Sequence, residues 1–165
     1  MPNMSLLRLA HLSIIYKIEE IIEANGWVSG NYRVVDGYPS ESELRDPIIW
    51  PTVSVGVGQL FGRDVELGSK VWPTFTIAID VFAITDSQRD DLSYILWNEL
   101  NENSYNLYDF NSAFPTILGD YTGIPVLGNY GVSKLTITPF DPEDSTIEGL
   151  NHHSMIDGLL LLPNL

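Results

Sequence analysis

The stretch WPTFTIAIDVFAITDSQRDDLSYILWNEL, residues 72 to 100, changes its hydrophobic period once, from two residues to helical spacing. That change constrains the fold more than any other feature of the chain, because a period of two buries one face of a strand and a helical period buries one stripe of a helix. Phe75, Ile77, Ile79, Val81 and Ala83 fall on one side of an extended backbone, and Thr74, Thr76, Ala78 and Asp80 on the other. Phe82 breaks the pattern on the polar side. The strand is expected to end at Thr85-Asp86-Ser87. Ser87 followed three residues later by Asp90 reads as a shortened capping box, with Asp90 and Asp91 in a first turn where the helix dipole favours negative charge. Leu92, Ile95, Leu96 and Leu100 then form the buried stripe of a helix of about four turns.

The rest of the chain assembles around this unit. Residues 4 to 25 read as an amphipathic helix, with Leu7, Ile14, Ile18 and Ile21 on one stripe, Ile15 and Ile22 widening it, and Asn3 or Ser5 as cap. Asn25-Gly26 supplies the stop, since both residues accept a left-handed backbone. Strands are expected at WVSGNYRVV (27–35), PTVSVGVGQL (51–60), GVSKLTITPF (131–140) and HHSMIDGLLLLPN (152–164). Polar, proline-bearing segments at 36–49 and 61–72 read as long loops, and 101–130, rich in Asn, Tyr, Gly and Pro, as mostly irregular. The expected fold is one α+β domain spanning 1–165: a mainly antiparallel sheet of about five strands with two helices packed on one face.

Composition removes several function classes. No cysteine is present, so disulfides, thiolate metal sites and thiol nucleophiles are out. The N-terminal apolar run is broken by Arg8, His11, Ser13 and Lys17, and lacks the form of a membrane span or a secretion signal; the expectation is a soluble protein with no membrane partner, retained in the cell that makes it. The formal charge of −14 opposes binding to nucleic-acid phosphate. Taken alone it most simply serves solubility; a second reading is the wall of a protein that encircles DNA without gripping it.

The search for chemistry comes back nearly empty. GVGQLFG (56–62) has the spacing G-x-G-x-x-x-G and no following helix, so it offers no phosphate cradle; a bulge or a close approach between strands explains its glycines better. His152 and His153 on a strand point to opposite faces and cannot easily share a metal. His11 is most simply a boundary residue, and consecutive Asp90 and Asp91 diverge on a helix. Asp141, Glu143 and Asp144 in DPED lack the alternate-position spacing of a calcium loop. Trp27, Trp50, Trp72 and Trp97 are dispersed, as core or interface anchors would be. The expectation is no catalytic residue, no metal and no cofactor. A metal-dependent hydrolase using His152, His153 and Asp157 is the enzymatic alternative.

Two long loops, a strongly negative charge and an apolar C-terminal segment, GLLLLPNL, set the chain apart from a plain α+β domain and favour an assembly subunit in a closed ring. An N-terminal helix ending in EANGW, a WPTVSV strand and above all FTIAIDVFAITDSQRDDLSYILWNEL make the chain resemble the tail terminator and neck proteins of tailed bacteriophages, over about half its length. The resemblance implies a virion protein assembled in the host cytoplasm: a homo-oligomeric ring, hexameric, seated on the last ring of tail-tube protein. Such a ring stops tube growth and meets the head-completion or connector protein, with DNA passing through its lumen without specific binding. Asp141, Glu143 and Asp144 are then candidates for the lumen or a docking face. Phe82 is a candidate for helix packing or a subunit contact, and Leu160 and Leu162 for an interface. Another completion protein of the neck, and a monomeric ligand-binding α+β module, are the alternatives.

Overall fold

A computed structural model describes residues 3–39, 51–62, 73–140 and 152–162. In chain order the elements are α1 (Leu6–Ala24), β1 (Arg33–Asp36), β2 (Thr52–Gly62), β3 (Pro73–Ala83), α2 (Asp86–Leu100), β4 (Asn103–Tyr108), β5 (Val126–Phe140) and β6 (His152–Leu161). The six strands form one sheet in the order β1-β2-β3-β6-β5-β4, antiparallel throughout except for β1 against β2. The architecture is the expected α+β sheet with two helices on one face, built on six strands instead of five.

The β3–α2 unit forms as the period change predicts. Ile77, Ile79, Val81 and Ala83 are buried on the helix side, opposite Val57, Val55 and Val53 of β2 and Gly158, Ile156 and Ser154 of β6. Each isoleucine so buried contributes about 1.5–3 kcal/mol over exposure. Leu92, Leu96 and Leu100 of α2 are fully buried against them.

The cap of α2 differs from expectation. Thr85 is the N-cap, its hydroxyl accepting from the Gln88 backbone N–H, while the Gln88 side chain accepts from the Ile84 N–H. The box is thus Thr85-x-x-Gln88, two residues earlier than Ser87-x-x-Asp90, and the acid of the first turn is Asp86. The earlier box prevails because it satisfies two amide donors, Ile84 after the strand and Gln88 in the first helical turn, which a box begun at Ser87 would leave open.

Helix α1 starts at Ser5, whose hydroxyl accepts from the Arg8 N–H, and stops at Asn25, whose amide donates to the Ile21 carbonyl ahead of Gly26 at φ 93°. Its buried stripe is Leu9, Ala10, Ser13, Ile14, Ile18, Ile21 and Ile22; Leu7 and Ile15 are only partly buried. His11 is more than a boundary residue. Its Nε2 lies 2.8 Å from the Val55 carbonyl and 3.4 Å from Asp36, so it fastens α1 to β2 and to the end of β1.

Two corrections concern the C-terminal half. The segment 101–130 contains a strand, β4, and five further residues of β5 before Gly131. The C-terminal strand needs no neighbour to cover it: β6 lies between β3 and β5, with Leu160 and Leu162 at 0% and 1% exposure inside the chain's own core. Strand order is a tertiary choice that local composition does not encode, so an apolar terminus read as an edge becomes the centre of the sheet.

Two strands are irregular, and the first carries its glycines at a bulge, as expected. In β2 the register shifts between Val57 and Leu60, and a Cβ on Gly58 would meet the Thr76 hydroxyl at 2.6 Å, so GVGQLFG is a bulged strand. In β5 the shift falls between Ser133 and Thr136, where Lys134 holds φ 56°. The backbone amides of Lys134 and Leu135 are taken by the Glu102 and Asn101 side chains at 2.8 and 2.9 Å, and the Trp97 indole donates to the Leu135 carbonyl. Opposite this bulge stands Gly158, where a Cβ would lie 2.8 Å from the Ser133 carbonyl.

Candidate interaction surfaces

The face of the sheet away from the helices is set by strand parity. Phe82, His153 and Phe140 are direct cross-strand partners on β3, β6 and β5, so all three rings project on that face in one row. The His153 imidazole is sandwiched, 4.3 Å from the Phe82 ring at 11° and 4.6 Å from the Phe140 ring at 16°. Tyr38 closes the row edge-on against Phe82 at 5.6 Å. Asp80, one step along β3 on the same face, meets His153 Nε2 at 2.7 Å, which fixes the imidazole in its slot. Burial, and secondarily the Asp80 carboxylate, push the Tyr38 phenol above its ordinary value. Phe82 is therefore only 4% exposed, held by rings of its own chain on the helix-free side and not by a helix. The sequence held all four rings, but only the placement of β6 beside β3 and β5 aligns them.

His152 goes to the opposite face, as parity requires. Its Nδ1 lies 2.7 Å from Asp86 at the start of α2, and Arg89 spans Asp86 and Asp90 at 3.1 and 2.8 Å. The two histidines thus belong to separate acidic partners. Asp157 is exposed on the His153 face, two strand positions beyond Met155, the cross-strand neighbour of Asp80. His152, His153 and Asp157 are not brought together, and among the described residues no group of three His, Asp or Glu is placed to hold a metal ion. No described helix is long and apolar enough to cross a membrane.

No protein-family model matches the sequence, and no curated protein matches it.

The sheet ends in two edges of different character. On one side β1 is four residues long, and no further strand pairs with its outer side among the described residues. On the other side β4 covers β5 only from Val126 to Val132; the outer side of β4 and that of β5 from Thr136 to Phe140 meet no strand among the described residues. Such rows of amides and carbonyls are templates for strand addition. Beside β4 the connection 109–125 exposes Phe114 and Ile117, at 50% and 68%, with Val126 at 51%. Phe114 stacks on Phe110, which anchors that connection in the core. Of the other residues singled out from sequence, Leu160 and Leu162 lie in the core, whereas Asp141, Glu143 and Asp144, like Trp50 and Trp72, fall outside the described residues.

Proposed function

We propose that this chain is a non-enzymatic structural subunit of the neck of a tailed phage, a tail terminator. It forms a hexameric ring on the tail tube, ends tube growth and joins the tail to the head connector. The observation that carries the reading is the pair of unlike sheet edges, unpaired among the described residues, β1 on one side and β4 with the outer half of β5 on the other. Two unlike edges favour a heterologous, head-to-tail contact, the kind that closes into a ring when the rotation permits. The β3–α2 unit that carries the resemblance lies at the centre of the subunit, where it fixes the directions of both edges. A formal charge of −14 suits a lumen through which DNA must slide, since an acidic wall offers its phosphates no trap.

The test is functional. Added to polymerising tail-tube protein, the chain should cap tubes, shortening their mean length in proportion to its concentration and decorating one tube end in negative stain. Tubes of unchanged length with bare ends would refute the proposal. A second reading, a monomeric ligand-binding module, is favoured by one observation only: a tyrosine-lined cavity beside α1.

A further inference from the structure

Between α1 and the β4–β5 end of the sheet lies a polar cavity of about 110 Å³. Its floor is Tyr130, at 0% exposure, a residue that lines the cavity and whose hydroxyl has no hydrogen-bond partner among the described residues. An orphan buried hydroxyl costs about 1–3 kcal/mol, so its persistence beside a cavity marks a place where something can bond to it. The walls are rings. Tyr105 lies 6.0 Å from Tyr130, and Tyr108 stacks on Tyr121 at 4.1 Å. At the mouth stand Lys17 and Glu20, with side chains 30% and 24% exposed.

The chemistry of these walls selects a cation. Glu20 is a carboxylate held in place by the Tyr121 hydroxyl, and the ring faces are electron-rich. The cavity already contains one ammonium: Lys17 Nζ sits 4.9 Å from the Tyr105 ring centroid and 3.1 Å from Glu20. Lys17 enters from the exposed side of α1 on a flexible stem, and it leaves the Tyr130 hydroxyl unfilled. The free volume, at ~30 Å³ per water-sized group, takes a ligand of about four heavy atoms.

We infer that the Tyr105–Tyr130–Glu20 pocket is a binding site for a small alkylammonium group, with Lys17 as a tethered placeholder that the ligand displaces. The incoming ammonium donates to Glu20 and to the Tyr130 hydroxyl oxygen, and its carbons pack on the rings of Tyr105 and Tyr108. The site is independent of the ring reading: it survives if the chain proves monomeric, and its failure leaves the sheet edges untouched.

The experiment is an NMR titration of the full chain carrying ring-labelled tyrosines. The probes are methylammonium chloride and Nα-acetyl-lysine N-methylamide, with sodium chloride as ionic-strength control. The expected result is a saturable shift of the Tyr105 and Tyr130 signals with methylammonium. Because a tethered competitor acts at millimolar effective concentration, Lys17→Met should tighten binding about tenfold. Glu20→Gln in that background should abolish it, and Tyr130→Phe should weaken it with the fold intact by circular dichroism. Saturation by methylammonium alone identifies a free amine as ligand; saturation by the lysine derivative as well identifies a side-chain ammonium offered by a second chain. Absence of saturable shifts in the folded Lys17→Met variant, or shifts reproduced by sodium chloride, would overturn the inference.

Discussion

Replacing Ser93 by alanine is expected to destabilise the protein more than replacing Ser154, and replacing both is expected to cost less than either. The two hydroxyls meet at 2.5 Å where α2 crosses β6, and the residues are 2% and 1% exposed. Removing one leaves the other buried without its partner, at about 1–3 kcal/mol. The orphans are not equivalent. A helical serine can turn its hydroxyl to the carbonyl four residues back, here Arg89, so Ser154→Ala should fall near the low end, about 1 kcal/mol. Ser154 stands on a strand paired on both sides, with no spare local acceptor, so Ser93→Ala should cost about 2–3 kcal/mol. The double variant buries no orphan and should cost under about 1 kcal/mol, a coupling of about 2–3 kcal/mol or more. Urea unfolding of the four proteins reads this as shifts in midpoint at constant slope, and heating reads it as about 2–4 °C per kcal/mol. Costs that simply add, with the double variant the least stable of the four, would refute the idea that this contact holds α2 in register on the sheet.

Three further outcomes follow from the fold. Gly158→Ala should destabilise by more than about 2 kcal/mol because its Cβ would press on the Ser133 carbonyl at 2.8 Å, whereas Gly56→Ala, with only the Ala78 carbonyl at 3.9 Å, should change the unfolding midpoint little. Thr85→Ala should cost about 1 kcal/mol and Ser87→Ala close to nothing, which thermal melts of the pair would distinguish. Burial raises the phenols of Tyr16, Tyr105, Tyr121 and Tyr130, and for Tyr121 the hydrogen bond to Glu20 raises it further. Their folded values lie above the unfolded value of about 10, so the neutral form is favoured by folding. The contribution is complete below pH ~10 and is lost as pH rises beyond it. With Tyr32 and Tyr38, whose phenols burial also raises, six of the eight tyrosines should therefore resist ionisation until the chain unfolds, and ordinary titration of all eight with the fold intact would contradict this.

What the sequence disclosed and what it hid divide along one physical line. The β3–α2 unit and α1 were legible because their burial is periodic and their ends carry capping side chains, so local signals agree with the tertiary answer. The strand β4 was hidden because only Leu107 of its six residues is buried; an edge strand of Asn, Ser and Tyr has no alternation to show. The row Phe82–His153–Phe140 was hidden for a different reason: it exists only through the register of three strands remote in sequence. Phe82 stands out in the sequence as an exception to its strand's pattern, a sound signal whose explanation lies 71 and 58 residues away. The tyrosine pocket left a weaker trace, the clustering of Tyr105, Tyr108, Tyr121 and Tyr130 in a segment read as irregular.

Mass photometry of the purified chain, alone and with tail-tube protein, tests most directly whether its open sheet edges exist to join copies of itself. The account predicts particles of about six times the 18.5 kDa chain mass, formed alone or on contact with the tube protein. A species that stays at the mass of one chain at every concentration and in both conditions would contradict it.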